Sequence, residues 1–419
     1  MLKTGHHITL LRGGAEYFSA LEAALDSAQR EVALETYLFH DDASGLRIAN
    51  ALGRAAARGV AVQLVIDGFG SADFSPEIAQ VLDASGVQTA VYSPYGSTLM
   101  NVLFLRLRRM RRLHRKLCVI DSRIAFCGGI NLLDDFVDPN HGVLSASRFD
   151  FAVRIEGPLV GDVQIALARM WTRVQAWRRV SVARGTQRLQ VALGESLGAA
   201  RLAGEDLRSV VQNRERFSEL DLSKNSESSS RAALLLRDNV RNRHRIERAY
   251  LALIRSAKTE IIIANAYFLP GRHFRQALVA AAERGVKVTL LLQGKYEYFM
   301  QYHATHALYG FLLQNGIEVH QYTRSFLHAK VAVIDARYST VGSSNLDPLS
   351  LTFAQEANLL IDDERFADAL RSALLQGISD GAELLRASDY AARSFGQRVR
   401  DWFAYGMFRV GIALTGIRY

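Results

Sequence analysis

The chain has 419 residues, 49% of them hydrophobic and six of them proline, enough apolar material for two domains or two fused lobes. Its net charge of +9 favours an anionic partner, either nucleic acid or an anionic lipid surface, without choosing between them. The two cysteines, Cys118 and Cys127, read as buried thiols; no zinc-ligand spacing calls for a metal, residues 1–14 carry no targeting pattern, and no window reaches the roughly 18–20 apolar residues of a spanning helix.

The first predicted element is a helix over 15–29, with Phe18, Leu21, Ala24, Leu25 and Ala28 on its apolar face. A strand over 31–38, a helix over 44–58, a strand over 61–67, a helix over 77–85 and a short strand follow. Residues 99–113 read as an amphipathic helix, with Leu103, Leu107 and Met110 on one side and Arg108, Arg109 and Arg112 on the other. That pattern fits a solvated surface helix, or a segment that attracts anionic headgroups while inserting apolar side chains. The second reading is preferred because the segment runs directly into His114.

There the chain reads His114-Arg115-Lys116-Leu117-Cys118-Val119-Ile120-Asp121, then Gly128-Gly129-Ile130-Asn131. After it come Asp150 in a strand-like run ending at Gly157-Pro158 and a helix over 160–179. Residues 181–231, ending in a serine-rich tract, read as a linker with a mobile loop. The lobes are therefore placed at 1–180 and 232–390, with a tail at 391–419.

The second lobe repeats the first. The strand at 260–269 echoes 31–39, Ala282 to Val286 echoes Ala56 to Val60, and Gln293-Gly294 stands where Asp67-Gly68 stood. The motif returns as His328-Ala329-Lys330-Val331-Ala332-Val333-Ile334-Asp335, then Gly342-Ser343-Ser344-Asn345, with Glu356 in the place of Asp150. Strands alternating with helices predict an α/β layer architecture. An aromatic-rich helix start at 295–303 reads as core packing or as a pocket wall. Trp402 and Phe403, beside a basic cluster, suit a membrane interface or a helix packed on the body.

Side chains alternate along a strand, so His and Lys two residues apart point to one surface. Each glycine turn is expected to bring backbone close to a ligand and aim the asparagine amide at it. Two copies face to face would set two imidazoles across a phosphate, with Lys116, Lys330, Asn131 and Asn345 around its oxygens. Ser343 adds a hydroxyl contact that Gly129 lacks. Asp121 and Asp335, at strand ends, are expected to be structural, bonding backbone or the opposite lobe. An acid beside a catalytic strand, Asp150 or Glu356, would fix an imidazole tautomer.

The duplicated H-x-K-x4-D with G-[GS]-x-N resembles the phospholipase D superfamily and, within it, the bacterial cardiolipin synthases of the shorter B type. That resemblance implies two mixed sheets flanked by helices, with the active site between the lobes. It implies His114, Lys116, Asp121, His328, Lys330 and Asp335 as the motif's catalytic set, with His114 the nucleophile and His328 the acid/base. Asp150 and Glu356 match the carboxylates that hold a motif histidine. The implied activity is a phosphatidyltransferase that joins two phosphatidylglycerols through a phosphohistidine, peripheral on the cytoplasmic side of the bacterial inner membrane, with no cofactor. A hydrolase releasing phosphatidic acid shares every motif. A nuclease is disfavoured, because the arginines alternate with Leu, Met and Phe rather than with stacking aromatics.

Overall fold

The computed structural model describes residues 2–72, 74–93, 111–182, 230–238, 242–348 and 354–413. The first half runs β1 (Lys3–Arg12), helix Gly13–Asp26, β2 (Glu31–Thr36), helix Ala43–Ala57, β3 (Ala61–Asp67), helix Pro76–Ala84 and β4 (Gln88–Tyr92). A two-residue strand, β5 (Arg112–Leu113), leads to the motif hairpin of β6 (Leu117–Ile120) and β7 (Ile124–Gly128). A small ribbon of β8 (Val137–Asp138) and β9 (Gly142–Val143) precedes β10 (Phe151–Glu156) and the helix Leu159–Val182.

The second half repeats this order. It runs β11 (Ser230–Arg237), helix Arg245–Ser256, β12 (Glu260–Asn265), helix Arg272–Glu283, β13 (Lys287–Gln293), helix Phe299–Gln314 and β14 (Glu318–Tyr322). The motif hairpin of β15 (Lys330–Ile334) and β16 (Tyr338–Gly342), β17 (Ala354–Asp362) and the helix Glu364–Gly381 complete the repeat. Beyond it lie β18 (Ala382–Leu384) and the helices Ala387–Ala391 and Phe395–Ala413.

In each lobe three parallel strands (β2-β3-β4 and β12-β13-β14) join an antiparallel set through the motif strand. Residues 3–12, given no element by their local pattern, form β1, which pairs with β10 on one side and with β11 on the other. Since β11 also pairs with β17, equivalent edges of the two lobes meet, and among the described residues the mixed sheets join into one 16-stranded sheet, with β5 attached to β17 off its main path. Pairing edge to edge removes two exposed strand edges at once.

The motif strands are buried on both faces, so their residues divide between cores. Cys118 and Ile120 face a core built with the helices of the first lobe, and Ala332 and Ile334 face the matching core of the second. Leu117, Val119, Val331 and Val333 share a third core with Phe151, Val341, Ala357 and Leu359, and this core lies between the lobes. The two halves are therefore fixed against each other by apolar packing directly beneath the motif.

The segment expected to be helical up to residue 113 ends instead in β5, where pairing with Ala354 and Gln355 of β17 overrides helical periodicity. Arg108, Arg109 and most of the predicted linker lie outside the described residues.

Candidate active site

Each motif histidine is held by the other lobe. The His114 amide donates to the Gln355 carbonyl at 3.0 Å, and its Nδ1 meets Glu356 Oε2 at 3.1 Å. The His328 amide donates to the Phe149 carbonyl at 2.9 Å, and its Nδ1 meets Asp150 Oδ2 at 2.7 Å. The two arrangements are the same bonds exchanged between the halves. With Nδ1 engaged by a carboxylate, Nε2 is left for chemistry on both rings.

The carboxylates are supported differently. Ser343 donates its hydroxyl to Glu356 and accepts from the Ala357 amide at 3.0 Å. Its hydroxyl is therefore spent on the carboxylate, and the expected contact with a phosphate oxygen is not what it makes. Asp150 accepts from the Phe151 amide at 2.8 Å, and a Cβ on Gly129 would sit 2.4 Å from its Oδ1. The shorter acid thus goes with glycine and the longer one with serine. A Cβ on Gly128 would meet Ala152 at 2.5 Å and one on Gly342 would meet Asn358 at 2.4 Å. These glycines admit the neighbouring strand, a close approach that the sequence reading assigns to a ligand.

Lys116 and Lys330 are buried, and each donates its Nζ to the carbonyl of its own motif histidine. Burial pushes Lys116 down to about 7 and Lys330 down to about 8. Both imidazoles are lowered, first by burial, and each feels both ammoniums. His328 lies well below its ordinary value, with His114 among the charges that lower it. Burial pushes Asp150 up to about 6. The groups are coupled in one buried place, where each lysine feels both Asp150 and Glu356, and an anion entering it would raise both lysines and both histidines. Asn131 Oδ1, Asn345 Oδ1 and Glu356 Oε1 are buried there or nearby in sequence, and none has a hydrogen-bond partner among the described residues.

Asp121 and Asp335 do not join this group. Each begins a tight turn with two successive positive-φ residues, Asp121-Ser122 and Asp335-Ala336. Asp121 accepts from the amides of Gln29, Arg30 and Glu31, and Asp335 from those of Lys258, Thr259 and Glu260. Their bonds are to backbone within their own lobe, with one added from the Thr259 hydroxyl to Asp335.

Two positioning residues were not singled out from the sequence. Asp67 Oδ2 accepts from the amide of Leu113 at 2.7 Å, and Gln293 Oε1 accepts from the amide of Leu327 at 3.1 Å. Each holds the residue just before a motif histidine. The signal was their shared place in the repeat, before Gly68 and Gly294. Tyr37 was also missed: its ring lies 4.8 Å from that of His114, and Lys116 Nζ is 5.2 Å from its centroid.

Of the predicted interface residues, Arg112 lies over the Phe69 ring at 4.4 Å. Trp402 and Phe403 are 63% and 62% exposed on the helix Phe395–Ala413. The opposite side of that helix is docked through buried Ala404 and through Asp401, which bonds His303 at 2.7 Å and also Arg393. The tail is thus both packed on the body and apolar outward.

A family model described as "Cardiolipin synthase, PLD-like domain" matches residues 21–147 and again 250–376. The chain is 34% identical over 423 residues to cardiolipin synthase B of Escherichia coli K12, covering 99% of this chain and 90% of that protein. It is 27% identical over 403 residues to cardiolipin synthase 1 of Staphylococcus epidermidis, covering 96% and 74%. Among solved structures it resembles phosphatidylserine synthase of Haemophilus influenzae in fold, with a TM-score of 0.65 at 14% identity and coverage of 96% and 93%.

Proposed function

The chain belongs to the cardiolipin synthase family with phospholipase D-like domains, and from that premise we propose that it transfers a phosphatidyl group from one phosphatidylglycerol to another, releasing glycerol. The observation that carries the reading is the exchanged pair of histidine–carboxylate bonds. They leave the Nε2 atoms of two electrostatically coupled imidazoles, one from each lobe, free beside two buried lysines.

In the first step His114 Nε2 attacks phosphorus, the P–O bond to glycerol breaks, and His328 gives its proton to the departing oxygen. In the second, His328 takes the proton of the acceptor hydroxyl. The acceptor oxygen then bonds phosphorus and the P–N bond to His114 breaks, returning its electron pair to the ring. Lys116 and Lys330 stabilise the negative charge on the non-bridging oxygens, with the amides of Asn131 and Asn345 as further donors. Glu356 and Asp150 hold the tautomers and stabilise each imidazolium as it forms. Asp121, Asp335 and Ser343 act through the positions of other groups.

We infer that the protein works at the surface of an anionic bilayer, on the cytoplasmic face of the inner membrane. No helix among the described residues is long and apolar enough to cross a membrane. The helix Phe395–Ala413 instead presents Phe395, Val399, Trp402, Phe403, Met407 and Val410 to solvent, a stripe suited to insertion at headgroup depth.

The test is incubation of the purified chain with phosphatidylglycerol vesicles and identification of the products by mass spectrometry. Cardiolipin with stoichiometric glycerol is expected. Phosphatidic acid without cardiolipin would replace the transferase with a hydrolase.

A further inference from the structure

The two halves differ beside their histidines. Phe39 bridges Leu132 and Phe268 bridges Leu346, so Tyr37, two residues before the first, corresponds to Ala266, two residues before the second. In the first lobe the Tyr37 ring stands against His114 and Lys116, and a Cβ on Gly70 would already meet that ring at 2.7 Å. The space beside His114 is filled. In the second lobe the small Ala266 leaves a cavity lined by Tyr267, Gln293, Lys295, Glu297, Gln301 and Thr305.

This cavity adjoins the motif. Ala266 donates its amide to the Ala329 carbonyl at 3.0 Å, and Gln293 holds the residue before His328. Glu297 lies close enough to Lys330 for each to shift the other's protonation. The walls are polar and partly unspent. Tyr267 donates its hydroxyl to Glu297 Oε2 at 2.9 Å. Gln293 is 8% exposed, and its buried Nε2 lies near Glu297 without a partner at hydrogen-bond distance.

We propose that this cavity is the headgroup pocket, holding a small neutral polyol beside His328 both when it leaves as glycerol and when it arrives as the glycerol headgroup of the acceptor lipid. The inference rests on the transferase reading above and adds the place and chemistry of the acceptor. In-line displacement puts the leaving and entering oxygens opposite the nucleophile. One pocket on the acid/base side therefore serves both steps, and the filled side belongs to His114. The cavity offers both donors and acceptors (an amide, a carboxylate, an ammonium, hydroxyls), which suits adjacent hydroxyls that each donate and accept. A primary ammonium needs acceptors alone and would face Lys295.

The experiment uses the full chain with phosphatidylglycerol in mixed micelles and isotope-labelled free glycerol, following labelled phosphatidylglycerol and phosphatidic acid together. Ala266→Tyr, which fills the pocket, and Glu297→Gln should each raise the KM for glycerol about tenfold. The donor's glycerol headgroup uses the same pocket, so formation of the intermediate slows as well, and the readout is the ratio of labelled phosphatidylglycerol to phosphatidic acid, which should fall as the partition moves to water. Unchanged partition in both variants overturns the pocket, as does ethanolamine outcompeting glycerol in the wild type. A wild type that hydrolyses without transfer refutes the transferase reading instead. The pocket is then judged by whether glycerol inhibits that hydrolysis and Ala266→Tyr relieves it; no inhibition overturns it. A wild type that leaves phosphatidylglycerol untouched removes both.

Discussion

Asp150→Asn tests the exchange between lobes most sharply. Asparagine keeps the size of the side chain and an oxygen for the Phe151 amide, but it removes the charge 2.7 Å from His328 Nδ1. Asp150 is 4% exposed, so solvent screens little of that charge. A hydrogen bond to a charged group contributes about 1.5–3 kcal/mol, and here it matters when His328 becomes an imidazolium on taking the acceptor proton. Losing it should slow that step by about 10- to 200-fold. The assay is cardiolipin formation from phosphatidylglycerol, with acid quench and peptide mass mapping of the enzyme. The expected result is a lower kcat, a lipid KM within about threefold of the wild type, and a phosphatidyl adduct that builds up on His114. Activity within about threefold of the wild type would refute the reasoning, and an adduct on His328 would exchange the two histidine roles.

Asp121→Ala and Asp335→Ala should each destabilise the fold by about 2–3 kcal/mol, read as a lower Tm. Several backbone amides lose their acceptor, and alanine is less tolerant of the positive φ, while asparagine should recover part of the loss. The pH profile of kcat/KM should be bell-shaped. Asp150, raised to about 6, must be ionised to hold His328, so activity rises as pH rises through that value. Lys116 and Lys330, lowered to about 7 and about 8, lose their charge as pH rises further, so activity falls on the alkaline side. A plateau from pH 5 to 9 would contradict both assignments. Trp402→Ser with Phe403→Ser should weaken sedimentation with phosphatidylglycerol vesicles by about tenfold or more without lowering the Tm, because both side chains are exposed. Unchanged sedimentation would remove this helix from the membrane contact.

The sequence alone determined the duplication, the layer architecture and the residues of the motif. Those features are local: periodicity 2 along a strand, periodicity 3.6 along a helix and a fixed spacing from histidine to lysine to aspartate all survive reading one residue after another. Most helices and strands of both lobes were legible for the same reason, β5 excepted, where pairing with β17 overrode a helical pattern. β1 was not, because its pairing with β10 and β11 comes from partners far along the chain.

Which carboxylate serves which histidine was decided only by tertiary structure. His114 and Glu356 are 242 residues apart, and His328 and Asp150 are 178 apart. No local pattern says that equivalent edges pair and cross the acids between lobes. The same holds for Ser343, whose hydroxyl turned to Glu356 rather than outward, and for Tyr37 and Ala266, whose difference has meaning only once both lobes face one site. A side chain's chemistry is written in its identity, but its partner is chosen by the packing that brings distant strands together.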